Sequence, residues 1–172
     1  DSQKLRAAKW QQTLATVDWL TTQIPRDSSF QIYAFNTSSE AVVSGTAGVW
    51  LDGSERTVLD GAVRDLRSMV PAGGTSLHRA FSRISELRPL PDNIFLLTDG
   101  LPTVGRNPAS ASTVSSRQRV RYFNRATGEL PARIPVNVIL YPMEGDPMAA
   151  SAFWKLAMST RGSFMSIAED WP

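Results

Sequence analysis

The stretch Ile-Phe-Leu-Leu-Thr-Asp-Gly-Leu-Pro-Thr at residues 94–103 decides the fold class of this chain. Its first four residues form an uninterrupted apolar run, which is typical of a strand buried on both faces of a parallel sheet. Asp99 and Gly100 stand where that strand ends. Because open α/β sheets bind ligands at the carboxyl ends of their strands, the sequence predicts a binding site at Asp99.

A second turn, Gly73-Gly74-Thr75-Ser76-Leu77, lies upstream and carries two hydroxyls at the start of a helical pattern. Hydroxyl and carboxylate oxygens are the ligands that a small hard cation such as Mg²⁺ prefers, so Thr75 and Asp99 are the candidate metal ligands. An alternative is that Thr75 or Ser76 caps the helix. Asp99 can equally be an ordinary Asp-Gly turn residue.

The rest of the chain alternates between strand and helix patterns. Apolar residues at steps of three and four predict helices over residues 2–24, 54–69, 76–87 and 147–160, with Ser54 as a cap, and a further helix, polar and poorly patterned, is predicted over residues 113–127. Short apolar runs predict strands at residues 30–35, 41–43, 94–97, 134–141 and 164–167. This alternation predicts an α/β fold with a doubly wound, mostly parallel sheet and helices on both faces.

Residues 73–77 and the run Leu97-Thr98-Asp99-Gly100-Leu101-Pro102-Thr103 resemble the second and third loops of a von Willebrand factor A (vWA) domain. The resemblance implies one Rossmann-like domain over residues 1–172. It also implies a metal-ion-dependent adhesion site for Mg²⁺, held here by Thr75 and Asp99. Thr98 and Thr103 are expected to order the loop by hydrogen bonding and not to bind the metal.

The family's first metal loop, Asp-x-Ser-x-Ser, is not in this sequence, which opens in a run resembling the helix after that loop. We therefore expect the native polypeptide to continue upstream with a strand and this loop. The absent strand would lie centrally, between the strand at Phe30 and the strand at Ile94. On their own, residues 1–172 are expected to bind Mg²⁺ weakly or not at all, because two protein oxygens do not easily displace the waters of a small cation.

Composition describes an ordinary soluble globular domain and indicates no polyanionic partner. The 172 residues are 42% hydrophobic and 20% charged, with a net charge of +2. The pI near 9.3 reflects the scarcity of groups that titrate near neutrality, so it does not predict nucleic-acid binding. There is no cysteine, which excludes disulfides, thiolate metal sites and a cysteine nucleophile.

Several charged residues have an unremarkable interpretation. Arg117, Arg119, Arg121 and Arg125 are expected to form a solvated helix face. His78, the only histidine, is expected on a solvated helix face because no catalytic spacing accompanies it. Asp146, before Pro147, fits a turn that starts a helix, and it can also rim the ligand-binding edge.

The predicted function is a protein–protein interaction or adhesion module of vWA type and not an enzyme. An acidic side chain of a partner protein would complete the Mg²⁺ site. One alternative is a metal-dependent α/β hydrolytic enzyme, although Gly-x-x-x-x-Gly-Lys-Ser/Thr and Gly-x-Gly-x-x-Gly are both absent. Another is a scaffold whose metal site has decayed. The expected location is the bacterial cell envelope or the extracellular space, anchored only through upstream segments, with the cytoplasm as the alternative.

Overall fold

The computed structural model describes residues 2–107, 113–141, 145–168 and 171. The chain divides into two compact units. The first holds residues 1–34, 40–72 and 169–172, and the second holds residues 35–39 and 73–168.

The first unit begins with two helices, α1 (Ser2–Leu5) and α2 (Ala8–Thr22), and continues through short strands into a third helix. The strands are β1 (Ser29–Phe30), β2 (Tyr33–Phe35), β3 (Ser39–Ala41) and β4 (Leu51–Asp52), and the helix is α3 (Arg56–Ser68). β1 pairs antiparallel with β4, and β2 pairs with β3 in a hairpin whose tip belongs to the second unit.

Several predicted features of this unit differ from the structure, and the strand predicted at residues 41–43 lies at Ser39–Ala41. The strand predicted at residues 30–35 is split at Gln31, whose side chain accepts from the N–H of Ile32 at 2.8 Å and donates to the carbonyl of Val49 at 2.7 Å. Ser54 does not cap α3. Its N–H donates to the Asp52 carboxylate at 2.8 Å, which lowers the pKa of Asp52. The first predicted helix breaks between Leu5 and Ala8.

The second unit is a parallel sheet with helices between its strands. Its elements are α4 (Leu77–Glu86), β5 (Ile94–Thr98), α5 (Ser116–Thr127), β6 (Val136–Leu140), α6 (Ala149–Thr160) and β7 (Phe164–Ser166). The strand order is β5-β6-β7, with Ile94 opposite Val136 and Val138 opposite Phe164. All three strands run in the same direction, as the alternation of strand and helix predicts.

The core of the second unit lies around β6, where Val136, Val138, Ile139 and Leu140 are all buried. Phe153 on α6 is fully buried and contacts Phe123 edge-on, with ring centroids 5.1 Å apart. β5 differs from the prediction. Ile94 and Leu96 are buried, but Phe95 is 50% exposed, so the expectation that both faces of this strand are buried is wrong. Side chains alternate along a strand, and the face that carries Phe95 is open.

The α/β class is confirmed, whereas the described residues form small sheets of two, two and three strands. A direct ladder between residues 30–35 and 94–97 is not among their pairings. Within these residues, no helix has both the length and the apolar character needed to cross a membrane.

Candidate functional site

The candidate site lies at the carboxyl edge of the three-stranded sheet. β5 ends at Thr98, and the following residues 99–105 are named the acidic loop. Residues 73–76, which lead into α4, are named the hydroxyl loop. These loops carry the two predicted metal ligands, Asp99 and Thr75.

Hydrogen bonds join the hydroxyl loop to the acidic loop. The N–H of Thr75 donates to the Thr103 hydroxyl at 2.9 Å, and the carbonyl of Thr75 accepts from the N–H groups of Thr103 and Val104 at 3.0 Å each. The buried Ser76 hydroxyl donates to the carbonyl of Gly105 at 3.0 Å. The structure therefore brings together the two loops that the sequence selects, although they lie far apart along the chain.

Gly74 permits this close approach. A Cβ atom at this position would lie 2.7 Å from the Thr103 hydroxyl oxygen and 2.9 Å from a methyl carbon of Val104. Both distances are shorter than real Cβ contacts, so a larger residue would push the acidic loop away. The glycine pair in the sequence signal thus has a steric function in addition to making a turn.

The structure decides which hydroxyl caps α4. Ser76 is the N-cap, and its Oγ accepts from the N–H of Arg79 at 3.4 Å. The Thr75 side chain makes no hydrogen bond to any residue that the structure describes. Thr75 is half-buried, so its hydroxyl remains available to a ligand at the sheet edge.

Replacing Ser76 by alanine is expected to lower the free energy of unfolding by about 1–2 kcal/mol, because both the cap of α4 and the bond to the acidic loop are lost. Urea denaturation measures this change. Ser151→Ala on α6, an exposed serine whose hydroxyl donates to the carbonyl of Met148 in its own helical turn, is the control for loss of a serine hydroxyl. An equal effect of both substitutions would contradict the special role of Ser76.

Asp99 begins the acidic loop and is half-buried. The Thr98 hydroxyl donates to the carbonyl of Gly100 at 3.2 Å and closes the turn around Asp99. Thr98 and Thr103 therefore order the acidic loop by hydrogen bonding, as predicted. The metal role of Thr75 and Asp99 stays a prediction.

The turn between β2 and β3 also contacts the hydroxyl loop, which the sequence did not indicate. The carbonyl of Asn36 accepts from the N–H of Ser76 at 2.7 Å. The Asn36 side chain accepts from the N–H of Ser38 at 2.8 Å, which holds the turn that exposes Thr37 and Ser38. Two more hydroxyls thus stand on the loop that packs against the hydroxyl loop.

A buried ion pair holds the acidic loop at Leu101. Arg119 on α5 contacts the Asp146 carboxylate at 2.7 Å, and the two side chains are 12% and 2% exposed. The same carboxylate accepts from the N–H of Leu101 at 2.7 Å. The guanidinium of Arg119 donates through Nε and Nη2 to the Leu101 carbonyl. The N–H of Leu101 is therefore bound by the negative Asp146 side chain, and its carbonyl is bound by the positive Arg119 side chain. We name this arrangement the clamp.

This clamp corrects one prediction, because Arg119 is not part of a solvated helix face. Asp146 precedes α6, and its buried carboxylate also bonds to the acidic loop, which is compatible with both interpretations of this residue. Arg119 stands in a row of arginines on a polar helix, so spacing alone did not single it out. Its partner comes from another connection of the sheet, which only the folded chain reveals.

His78 is also more buried than predicted, with 13% of its side chain exposed. Its Nε2 lies 3.3 Å from Glu129, and its Nδ1 lies 3.3 Å from the Ser82 hydroxyl, which in turn lies 3.4 Å from Glu129. The three groups close a ring and do not form a relay. Ser82 lies inside α4, where helical hydrogen bonds occupy the backbone N–H groups that would have to stabilise an oxyanion.

These contacts therefore connect α4 to the segment that follows α5. Ser85 strengthens this connection because its hydroxyl donates to the carbonyl of Glu129 at 2.5 Å.

The oxygen atoms on the two loops are of the type that a hard cation prefers as ligands, but the described residues supply few of them. Across the described residues, no three His, Cys, Asp or Glu side chains gather into a metal cluster. The Thr75 hydroxyl and the Asp99 carboxylate supply two oxygens of the type that Mg²⁺ selects. The residues present thus fit the metal chemically, and further ligands have to come from elsewhere.

Comparison with solved structures decides the fold. A von Willebrand factor type A protein from Catenulispora acidiphila superposes with a TM-score of 0.65 over 95% of this chain, at 15% sequence identity. This chain has a vWA-like fold. It spans 35% of the length of that neighbour. No protein-family model matches the sequence, and no curated protein does. The vWA-like fold confirms the structural part of the sequence resemblance.

Proposed function

We propose that this chain is a protein-interaction module whose partner-binding edge consists of the hydroxyl loop and the acidic loop. The observation that carries the proposal is the network between these loops, which leaves the Thr75 hydroxyl without a described hydrogen bond beside the loop of Asp99. A vWA-like fold places its carboxyl-edge loops where ligands of open α/β sheets bind.

The proposed metal is Mg²⁺, held in part by the Thr75 hydroxyl and the Asp99 carboxylate. When bound, it would attract an acidic side chain of the partner protein, because ligands of low total charge leave the cation electron-poor. The residues of this chain orient the donors. Ser76 fixes the start of α4, Thr98 closes the turn of Asp99, and the Arg119–Asp146 pair fixes Leu101.

We also propose that the sheet of this domain is doubly wound, as the sequence predicts. Ile94 donates to the carbonyl of Pro135, and Thr98 accepts from the N–H of Tyr141, so alternate residues of β5 bond to β6. The peptide groups of Phe95 and Leu97 therefore point to the other edge, where no described strand pairs. A further strand along this edge would satisfy them and continue the parallel sheet.

Paramagnetic Mn²⁺ tests the metal site even if binding is weak. In an ¹⁵N-labelled sample, Mn²⁺ is expected to broaden the amide signals of Thr75 and Gly100 first. Asp99→Ala and Thr75→Ala should abolish this selectivity, whereas Asp92→Ala, an exposed aspartate before β5, should leave it unchanged. Broadening that survives in Asp99→Ala, or that centres on other residues, would reject the site.

The hydrolytic alternative has a direct assay. Phosphatase and nucleotide-hydrolysis activity with Mg²⁺ would reveal an enzyme, and turnover that Asp99→Ala abolishes would overturn the interaction-module proposal. Absence of both metal binding and turnover would favour the scaffold alternative. The envelope or extracellular location and the identity of the partner remain predictions.

A further inference from the structure

A groove of about 940 Å³ opens at the amino edge of the three-stranded sheet, the end opposite to the candidate site. It lies beside the start of β6 and the ends of α5 and α6. Its walls combine aliphatic and proline side chains with two arginines and three hydroxyl residues, and the lining includes Leu130, Pro131, Arg133, Pro135, Leu156 and Arg161.

Both arginines have a backbone conformation that arginine rarely adopts. The φ angle is 68° at Arg133 and 62° at Arg161. Residues with a Cβ are disfavoured in this left-handed region, where glycine and asparagine are the usual choices. Among the described residues, these are the two non-glycine positions with positive φ, and both line the same groove.

Arg161 ends α6 in the left-handed conformation, a position at which glycine is the usual residue. Arg161 donates from its N–H to the carbonyl of Met158 at 3.2 Å, and Gly162 donates to Ala157 at 2.8 Å. This arrangement of bonds ends a helix with one left-handed residue, and that residue is usually glycine. The chain has an arginine at this position, although glycine would fit the backbone better.

The guanidinium groups of Arg133 and Arg161 form no hydrogen bond or ion pair with any residue that the structure describes. Both residues are exposed. Two positive charges without described partners therefore line a groove whose other walls combine aliphatic, proline and hydroxyl side chains.

We propose that this groove binds an acidic peptide segment of a partner protein. Guanidinium groups bind carboxylates in paired hydrogen bonds, and strained backbone tends to persist where function requires it. The aliphatic and proline walls suit the aliphatic side chains of such a peptide. The lining contains no aromatic residue on which a nucleotide base could stack, which favours a peptide over a single-stranded nucleic acid.

A rival explanation is purely structural. Positive side chains near a helix C-terminus interact favourably with the helix dipole, and the groove adjoins the C-terminal ends of α5 and α6. The two explanations predict opposite effects for Arg161→Gly. If the arginine serves the helix end, its loss lowers the melting temperature. If it is kept for binding, relief of backbone strain raises the melting temperature while binding is lost.

Fluorescence anisotropy in EDTA tests the proposal with a labelled peptide of alternating glutamate and leucine. A peptide with glutamine in place of glutamate is the probe control. Arg133→Gly and Arg161→Gly are each expected to weaken binding at least tenfold, and Arg161→Gly is expected to raise the melting temperature. Arg117→Ala removes one exposed positive charge outside the groove and should bind as the parent chain does. Arg161→Asn, which also tolerates this backbone, is the second variant.

Equal affinity for the glutamine peptide, unchanged binding by the groove variants, or a lower melting temperature of Arg161→Gly would overturn the proposal. So would stronger competition by a single-stranded oligonucleotide than by the unlabelled peptide. EDTA separates this groove from the metal-dependent edge, because chelation removes the ion on which binding at that edge depends. Failure at either site therefore leaves the other proposal standing.

Discussion

Replacing Arg119 by alanine is expected to lower the free energy of unfolding by about 3–5 kcal/mol, because it leaves the Asp146 carboxylate buried without its counter-charge. That carboxylate is 2% exposed and lies 2.7 Å from the guanidinium. The substitution also removes the two donors to the Leu101 carbonyl. Urea denaturation at neutral pH measures the loss.

Arg117→Ala is the matched control, since it removes an exposed arginine from the first turn of the same helix. Surface substitutions of this kind change stability by about 0.5 kcal/mol or less. A loss of similar size in both variants would show that the pair is not buried in solution. A double variant, Arg119→Met with Asp146→Leu, should recover much of the stability, because an apolar pair can replace a buried ion pair.

The same variants connect stability with the proposed function. Asp146 holds the N–H of Leu101, two positions after Asp99 in the acidic loop. Without this bond, the turn that presents Asp99 keeps the Thr98 contact, and the loop keeps its bonds to the hydroxyl loop, but Leu101 is no longer held by the Asp146 side chain. Any metal or partner contact at Asp99 then has to order the loop first, which reduces affinity.

Local signals predicted the parts of the fold that depend on neighbouring residues. The apolar run of residues 94–97 predicted β5, and Ser76 before an amphipathic run predicted the start of α4. Both signals act within a few residues, because side-chain alternation and capping are local effects. The two candidate ligands, Thr75 and Asp99, also followed from such local turns.

Contacts between distant segments could not be read from the sequence. Arg119 and Asp146 meet only because consecutive connections of a parallel sheet return to the same edge. The Gln31 side chain splits a predicted strand because its partners, Thr46 and Val49, come from a later loop. In each case a long-range polar contact overrides a local pattern.

Sheet pairing is a second limit on what the sequence predicts. The exposure of Phe95 shows that hydrophobicity alone does not establish burial on both faces. An apolar run indicates what a strand can bury, whereas the neighbouring segments determine what it does bury. This distinction explains why the α/β class was predictable and the extent of the sheet was not.

Replacing Gly162 by alanine is expected to destabilise the second unit by about 3 kcal/mol, through overpacking against a backbone that cannot yield. A Cβ atom there would overlap the carbonyl oxygen of Val136 and lie 2.8 Å from the backbone nitrogen of the same residue. The φ angle of Gly162 lies outside the left-handed region, so the effect is steric. Val136 starts the central strand, and moving it disturbs the pairing of β6 with β5.

Gly61→Ala in α3 is the control for replacing a glycine by alanine. Apart from the backbone of the helix itself, the nearest atom to a Cβ at this position is a side-chain nitrogen of Arg64 at 3.6 Å, and this side chain is flexible. Alanine in a helix interior is favoured over glycine by about 0.5–1 kcal/mol, so this control should be slightly stabilised. Chemical denaturation of both variants therefore gives changes of opposite sign. If Gly162→Ala is as stable as the parent chain, the close approach of α6 and β6 is wrong. Arg161→Gly is expected to stabilise the second unit, whereas Gly162→Ala is expected to destabilise it. The requirement for a residue without a Cβ atom therefore belongs to position 162, and packing does not explain the arginine at position 161.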